Sequence, residues 1–347
     1  MPMLIDVHTH IVPEKLPDFS RRAGGDRWPS LDPVDACSAR VMVAGKNFRT
    51  VTDQCWSVPR RLADMEAEGV ERQVLSPMPK LFSYEFAPGD TRDFCRFVNE
   101  TIATMVRAEP QRFYGLGIVP LQDPELAARE IAEVRLLGLH GVEIGTNVNG
   151  RSLGDARFLP FYQEAERQRL PIFVHAQDPT GADRFTGAPV HQNLIGFPQE
   201  NALAAATLIT GGVIERCPLL KVLFSHGGGG FSLVLPRLEQ GWHTMGRWLP
   251  KRPSDYVRNF YFDTLLYDAT NFFTFIASTN ERCKLPARGK QKQKRNDLRQ
   301  VGVALLCSRQ HGIPLWHRTY GGNVADANCF SQVLSSLKQR IVDLRRN

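Results

Sequence analysis

No apolar run in this chain reaches the about 18 consecutive residues that a membrane-spanning helix needs, so an integral membrane protein is not expected. Paired cysteines are missing as well. Cys37, Cys55, Cys95, Cys217, Cys283, Cys307 and Cys329 are odd in number, scattered and never in Cys-x-x-Cys spacing. They read as the reduced thiols of a cytoplasmic protein without a disulfide framework. A cleavable secretory leader is not expected, because a metal-type motif occupies the place of its apolar core. The body of the chain also lacks an excess of one charge. Residues 281–347 hold 14 Lys/Arg against 4 Asp/Glu, a balance of +10, which leaves −3 for residues 1–280 out of the total of +7. A uniformly basic nucleic-acid binder is thereby set aside. No internal repeat is visible beyond a strand and helix rhythm.

What is present is a 347-residue chain with 42% hydrophobic and 23% charged residues, enough to bury the core of one large α/β barrel or of two ordinary domains. It opens on Leu4-Ile-Asp-Val-His-Thr-His10. Strand alternation places Asp6, His8 and His10 on one face, where two imidazoles converge on one point and could share a metal ion. Residues 11–57 are rich in Pro, Gly and Asp, and the alternating stretch Arg40–Thr52 predicts a small hairpin, a lid over a barrel mouth.

From Ser57 onward, helices over 58–68, 91–108, 124–137, 158–169 and 199–216 alternate with short apolar strands over 70–75, 113–119, 141–144, 171–174 and 221–224, and a last strand covers 260–263. Such alternation predicts parallel βαβ units, and with the opening strand the count is seven. An eighth would close a (β/α)8 TIM barrel, and Val301–Cys307 is the one stretch available for it. The expected fold is therefore α/β, a (β/α)8 barrel incomplete or distorted at its eighth strand, over residues 1–270 with the insertion at 11–57. A divergent basic segment follows over 271–347.

Polar residues sit where such barrels keep their chemistry, at the C-terminal ends of strands. His175 follows Pro171-Ile-Phe-Val174, His226 follows Lys221-Val-Leu-Phe-Ser225, and Asp263 follows Phe260–Phe262. Four histidines from three strands at one rim point to a metal centre. Asp263 is read as a ligand, or as an acceptor behind a metal-bound histidine. The run Gly227–Gly230 either presents amides to an anion or makes a sharp turn; no Gly-Lys-Ser/Thr follows, so it is not a phosphate loop.

The motifs HTH at 8–10, FRTV at 48–51, FSYEFAPGDT at 82–91, GLGIVPLQDPELAARE at 115–130, GVEIGTNVNG at 141–150, FVHAQD at 173–178 and FSHGGGGFSLVLPRLEQG at 224–241 together resemble the aminocarboxymuconate-semialdehyde decarboxylase family of the amidohydrolase superfamily. The resemblance implies a metal-dependent, non-oxidative decarboxylase that uses zinc or another divalent metal, acts on a small carboxylated substrate and forms a homodimer. It implies His8, His10 and His175 as metal ligands and His226 as the acid/base histidine. Arg49 would grip a substrate carboxylate, and Arg237 would be delivered from a neighbouring subunit. Gln177 and Asn193 stand where members acting on aminocarboxymuconate semialdehyde carry tryptophan, which implies a more polar pocket and a different, related aromatic or muconate-type acid.

The family's last strand ends in Gly-Thr-Asp-Tyr-Pro-Phe, whose Asp is the fourth ligand, and this chain has no such motif. Gln310–Trp316, read one base on, can encode Ser-Thr-Glu-Tyr-Pro-Phe, so the last quarter is expected to be translated out of frame, or across a retained intron, relative to the family, and the basic run Arg288–Arg295 to be without selected meaning. Two other readings stand beside the decarboxylase: a hydrolase or hydratase on the same scaffold, and an inactive homologue short of one ligand.

Overall fold

A computed structural model describes residues 4–187 and 192–264, together with the backbone of four short strands between residues 272 and 321. Two compact units divide between Thr264 and Leu265. The first opens with β1 (Ile5–Ile11) and an antiparallel three-stranded insertion, β2 (Ser30–Asp35), β3 (Ser38–Val43) and β4 (Lys46–Thr52). The expected hairpin is β3–β4, closed by Ala44 and Gly45 at φ 50° and 72° between the paired Val43 and Lys46. Two positive φ values in a two-residue loop match the twist of the flanking strands.

Helices and strands then alternate: α1 (Val58–Glu68), β5 (Arg72–Pro77), α2 (Pro88–Ala108), β6 (Phe113–Gly117), α3 (Pro124–Leu136) and β7 (Gly141–Gly145). A small ladder, β8 (Asn147–Val148) and β9 (Arg151–Ser152), precedes α4 (Leu159–Arg167) and β10 (Ile172–His175). The unit ends with α5 (Phe197–Thr210), α6 (Val213–Arg216), β11 (Val222–Phe224), α7 (Phe231–Thr244) and β12 (Phe260–Phe262).

Local chemistry sets the boundaries. Asp123 caps α3 by accepting from the Leu126 amide at 3.0 Å, with Pro124 in the first turn, and Gly69 ends α1 at φ 70°. The single helix expected over 199–216 is two, because Gly212 at φ 70° cannot continue a right-handed helix. Phe94, Val98 and Ile102, one face of α2 at four-residue spacing, are wholly buried, each worth about 1.5–3 kcal/mol of transfer from water.

Strands β1, β5, β6, β7, β10, β11 and β12 pair in that order, every ladder parallel. Although β1 and β12 are the two edges, the side chain of Asp263, just past β12, reaches His8 of β1 at 2.7 Å. The sheet is therefore curled, the seven-stranded α/β arrangement of a TIM-type barrel, and its strand ends face one mouth.

The second unit is a separate antiparallel sheet of β13 (Phe272–Thr274), β14 (Ala287–Arg288), β15 (Arg299–Cys307) and β16 (Pro314–Gly321). This corrects the expectation for Val301–Cys307. Its stretch, β15, runs antiparallel to β16 from Val301↔Gly321 to Cys307↔Pro314, with β13 on its opposite edge and β14 beside Gln300 and Arg299 on the β16 edge, and it is not an eighth barrel strand. The physical reason is chain proximity: a partner a few residues away costs far less loop-closure entropy than a barrel edge formed much earlier in the chain. Most of the segment expected to be out of frame, and of the basic run, lies outside the described residues.

Candidate metal centre and active site

The rim histidines are aimed by a bulge in β1. The strand pairs Asp6 with Gln73 but Thr9 with Leu75, so one extra residue is inserted between them. Simple alternation through Asp6, His8 and His10 is therefore corrected: the bulge breaks the period, and Asp6 Oδ1 accepts from the His8 amide at 3.3 Å. Beyond the bulge the strand is pinned from both sides. Thr9 Oγ1 donates to the Val74 carbonyl at 2.8 Å, and Ser76 Oγ donates to the Thr9 carbonyl at 2.6 Å. From α1 the buried Arg61 donates to the His10 carbonyl at 2.9 Å and to Gln73 Oε1 at 3.2 Å, and burial lowers its pKa.

The structure brings His8, His10, His175 and His226 together. Ring centroids lie 5.1 Å apart for His8 and His10, 4.9 Å for His8 and His175, 4.9 Å for His10 and His175, and 5.1 Å for His175 and His226. One potential ligand atom from each of His8, His175 and His226 lies within 4.8 Å of the other two, and the same holds for His10, Glu143 and His175.

Hydrogen bonds at the back of each ring fix what its front offers. His175 Nδ1 lies 2.8 Å from the Ala176 carbonyl, which can only accept, so Nδ1 carries the proton. His8 Nδ1 lies 2.7 Å from the Asp263 carboxylate and donates to it. Both neutral rings then turn a lone pair on Nε2 toward the same place, and these two nitrogens are 3.0 Å apart. Two lone pairs at that separation repel unless a proton or a metal ion lies between them. A borderline-soft divalent ion that takes imidazole nitrogen at about 2.0–2.1 Å fits this donor set.

His226 is oriented the other way. Its Nδ1 lies 2.9 Å from Ser225 Oγ and 3.3 Å from the Asn201 side-chain amide nitrogen. The Asn201 amide nitrogen, whose orientation is set by its donation to the Phe197 carbonyl at 3.2 Å, faces Nδ1 as a donor, so in the neutral ring Nδ1 is the acceptor and Nε2 carries the hydrogen; Ser225 Oγ, which accepts from the Ala176 amide at 3.3 Å, has its one hydrogen between Nδ1 and Asn201 Oδ1 at 3.4 Å. The backbone of His226 sits at φ 53°, and Gly227, Gly228 and Gly229 follow at 63°, 70° and 58°. A Cβ at Gly229 would lie 1.9 Å from the Pro198 carbonyl oxygen, so the run is the sharp turn that seats β11 against α5. Of its amides, Gly227 N donates to Asp263 Oδ1 at 2.8 Å.

Asp263 is thus placed behind His8, with one oxygen on the ring and one on the Gly227 amide, and is in neither converging group. Replacing it with asparagine tests that position. An amide has one acceptor oxygen. If that oxygen faces Gly227, the NH2 faces His8 and drives the ring proton to Nε2; if it faces His8, the NH2 opposes the Gly227 N–H. Metal affinity of Asp263→Asn, read by chelator competition, should fall about 10–100-fold with the circular dichroism spectrum unchanged. Unchanged affinity would remove Asp263 from the centre.

The remaining expected residues are dispersed. Gln177 is buried at the end of β10, its Nε2 donating to the Asn147 carbonyl at 3.0 Å. Asn193 is half-buried in the turn Gln192–Gly196. Arg49 is exposed on β4, its guanidinium 6.0 Å from the Phe48 ring, and Arg237 is exposed on α7. Among the described residues none of these four hydrogen-bonds to the histidines.

Sequence reasoning missed Glu143. It is wholly buried in β7, and burial pushes its carboxyl well above the usual carboxylate range. The available signal was one acidic residue inside the apolar strand Gly141-Val-Glu-Ile-Gly145.

With this geometry in place, the comparisons are specific. The amidohydrolase family matches residues 5–283. The 2-amino-3-carboxymuconate-6-semialdehyde decarboxylase of Dictyostelium discoideum is 37% identical over 269 residues, covering 76% of this chain and 75% of that protein. Among solved structures, the 5-carboxyvanillate decarboxylase of Sphingomonas paucimobilis superposes with a TM-score of 0.59 at 27% identity, over 75% of this chain and 80% of its own. A dihydroxybenzoic acid decarboxylase from Polaromonas, solved with manganese and 2-nitroresorcinol, has a TM-score of 0.57 at 24% identity over 76% and 78%.

Proposed function

Because the chain belongs to the amidohydrolase family, we propose that it is a metal-dependent, non-oxidative decarboxylase of a small carboxylated aromatic or muconate-semialdehyde-type acid. The observation that carries this reading is the convergence of the rings: Nε2 of His8 and Nε2 of His175 lie 3.0 Å apart, with Nδ1 of each held by an oxygen acceptor, while His226 has its Nδ1 against Asn201 and Ser225, the arrangement that leaves an Nε2–H for the same cluster. A lone pair suits a cation; an N–H suits proton delivery. His8, His10 and His175 would hold the divalent metal, which when bound polarises an oxygen of the substrate and draws charge away from the carbon that loses its carboxylate.

This chain's own residues do the rest. Asp263 holds His8 in the ligating tautomer, and Arg61 holds the His10 backbone. Ser225 and Asn201 keep the proton of His226 on the side facing substrate. His226, once a proton from solvent has converted it to the imidazolium, gives its Nε2 proton to the ring or chain carbon bearing the carboxylate and returns to the neutral ring; the bond to the carboxylate then breaks, its electron pair stays with the carbon skeleton, and CO2 leaves. One proton is consumed for each CO2 formed, and His226 regains it from solvent. Zinc is the proposed ion, since nitrogen donors dominate the site. Arg49 is proposed to pair with a substrate carboxylate. The exposed Arg237 is proposed to serve the site of a second copy in a homodimer, since among the described residues no hydrogen bond or ion pair holds it to its own.

The test is product identity. The metal-loaded chain, given aminocarboxymuconate semialdehyde, 2,6-dihydroxybenzoate and 5-carboxyvanillate in turn, should release CO2 from at least one. A chelator should abolish release and added zinc or manganese restore it. Label from 18O-water appearing in the product without CO2 would instead establish a hydrolase or hydratase.

A further inference from the structure

We propose that Glu143 is the carboxylate ligand of the divalent metal, so that the donor set is completed from β7. The inference rests on the metal-dependent reading above and deepens it. Register places the residue. β7 and β10 pair Glu143 with Phe173 and Gly145 with His175, so Glu143 lies on the same interior face as His175, one layer deeper. Its carboxylate lies within 4.8 Å of ligand atoms on both His10 and His175.

Elimination among the described residues leaves no other buried carboxylate for the role. Glu130 is held by Arg96 at 2.7 and 2.8 Å, and Glu200 by Asn147 and the Thr180 amide at 3.1 and 2.6 Å. Asp263 is engaged by His8 and Gly227. Glu143 is as deeply buried as any of these, yet among the described residues the Ser76 hydroxyl is, apart from the cluster histidines, the one polar side chain beside it, and no lysine or arginine pairs with it. The hydroxyl beside it, Ser76 Oγ, is directed to the Thr9 carbonyl. A buried carboxylate without a counter-charge is costly, and a dication among neutral imidazoles equally needs negative charge. Each deficiency is met by the other.

The experiment compares metal binding in the full-length wild type, Glu143→Gln and, as a control for loss of a buried carboxylate elsewhere, Glu130→Gln. Zinc and manganese affinities are read by chelator competition, and thermal melting is followed with and without metal. Glu143→Gln should bind at least about a hundredfold more weakly, beyond the usual effect of a residue that only supports a ligand. Metal-free, it should melt no lower than wild type, since it loses a group that has no counter-charge, and added metal should raise its melting temperature less. Glu130→Gln should melt lower in both states and keep its metal affinity. Equal affinities for wild type and Glu143→Gln, or a melting loss identical with and without metal, overturn the proposal and leave the decarboxylase reading standing. A wild type that takes up neither cation overturns both.

Discussion

His175→Ala is expected to remove the metal and, with it, nearly all CO2 release. Among the described residues this side chain alone belongs to both converging groups, with His8 and His226 on one side and with His10 and Glu143 on the other. Its deletion therefore removes the ligand that the two groups share, whereas loss of His8 or of His10 touches one group only. A metal's charge stabilisation is worth several kcal/mol at the transition state, so at 1.36 kcal/mol per tenfold the turnover should fall by about 10³ or more. Structural damage is the competing explanation, because His175 is buried and its Nδ1 bonds to the Ala176 carbonyl. Added imidazole separates the two. The alanine variant leaves a cavity of the ring's own shape beside the remaining ligands, so millimolar imidazole should restore part of the metal uptake; a collapsed barrel would not respond. Retention of metal at wild-type affinity in His175→Ala would end the assignment of this cluster as the centre.

The barrel was legible because parallel strands buried on both faces read as short apolar runs, and each run here is bracketed by helices of regular length. The rim was legible for the same reason. Once Val222–Phe224 and Ile172–His175 are strands, the histidines at their ends must face one mouth. What could not be read was set by tertiary pairing. The extra residue between Asp6 and Thr9 has no local signature, since the segment alternates well enough in sequence, and the bulge appears only against Gln73 and Leu75 of β5. Asp263 could be assigned to the mouth but not to the back of the His8 ring, because that distinction depends on the curl of a whole sheet. Glu143 lies inside GVEIGTNVNG, a motif used only for the family resemblance, although an acidic residue in a strand with two buried faces is itself the anomaly. The stretch Val301–Cys307 was misassigned because an apolar run fits a parallel strand and a hairpin arm equally well.

His226 carries the second large effect, and here binding and turnover should separate. With Asn201 and Ser225 on Nδ1, the hydrogen of neutral His226 sits on Nε2, a poor position for a ligand, and the imidazolium formed when Nδ1 also takes up a proton can deliver the hydrogen from Nε2 to substrate. Glutamine at this position keeps an amide N–H near the Nε2–H but cannot release the proton. His226→Gln should therefore retain the metal while kcat falls about 10²–10⁴-fold, the usual worth of a positioned acid or base. KM should change little, because the interaction removed is made only as the proton moves. If His226 were a ligand, as its proximity to His8 and His175 also allows, metal affinity would fall together with kcat and extra zinc would recover part of the rate. The two outcomes differ before any substrate is added, since the metal content of purified His226→Gln is high under the first assignment and low under the second. The assignment thus depends on one hydrogen, held on Nε2 by the serine and asparagine behind the ring.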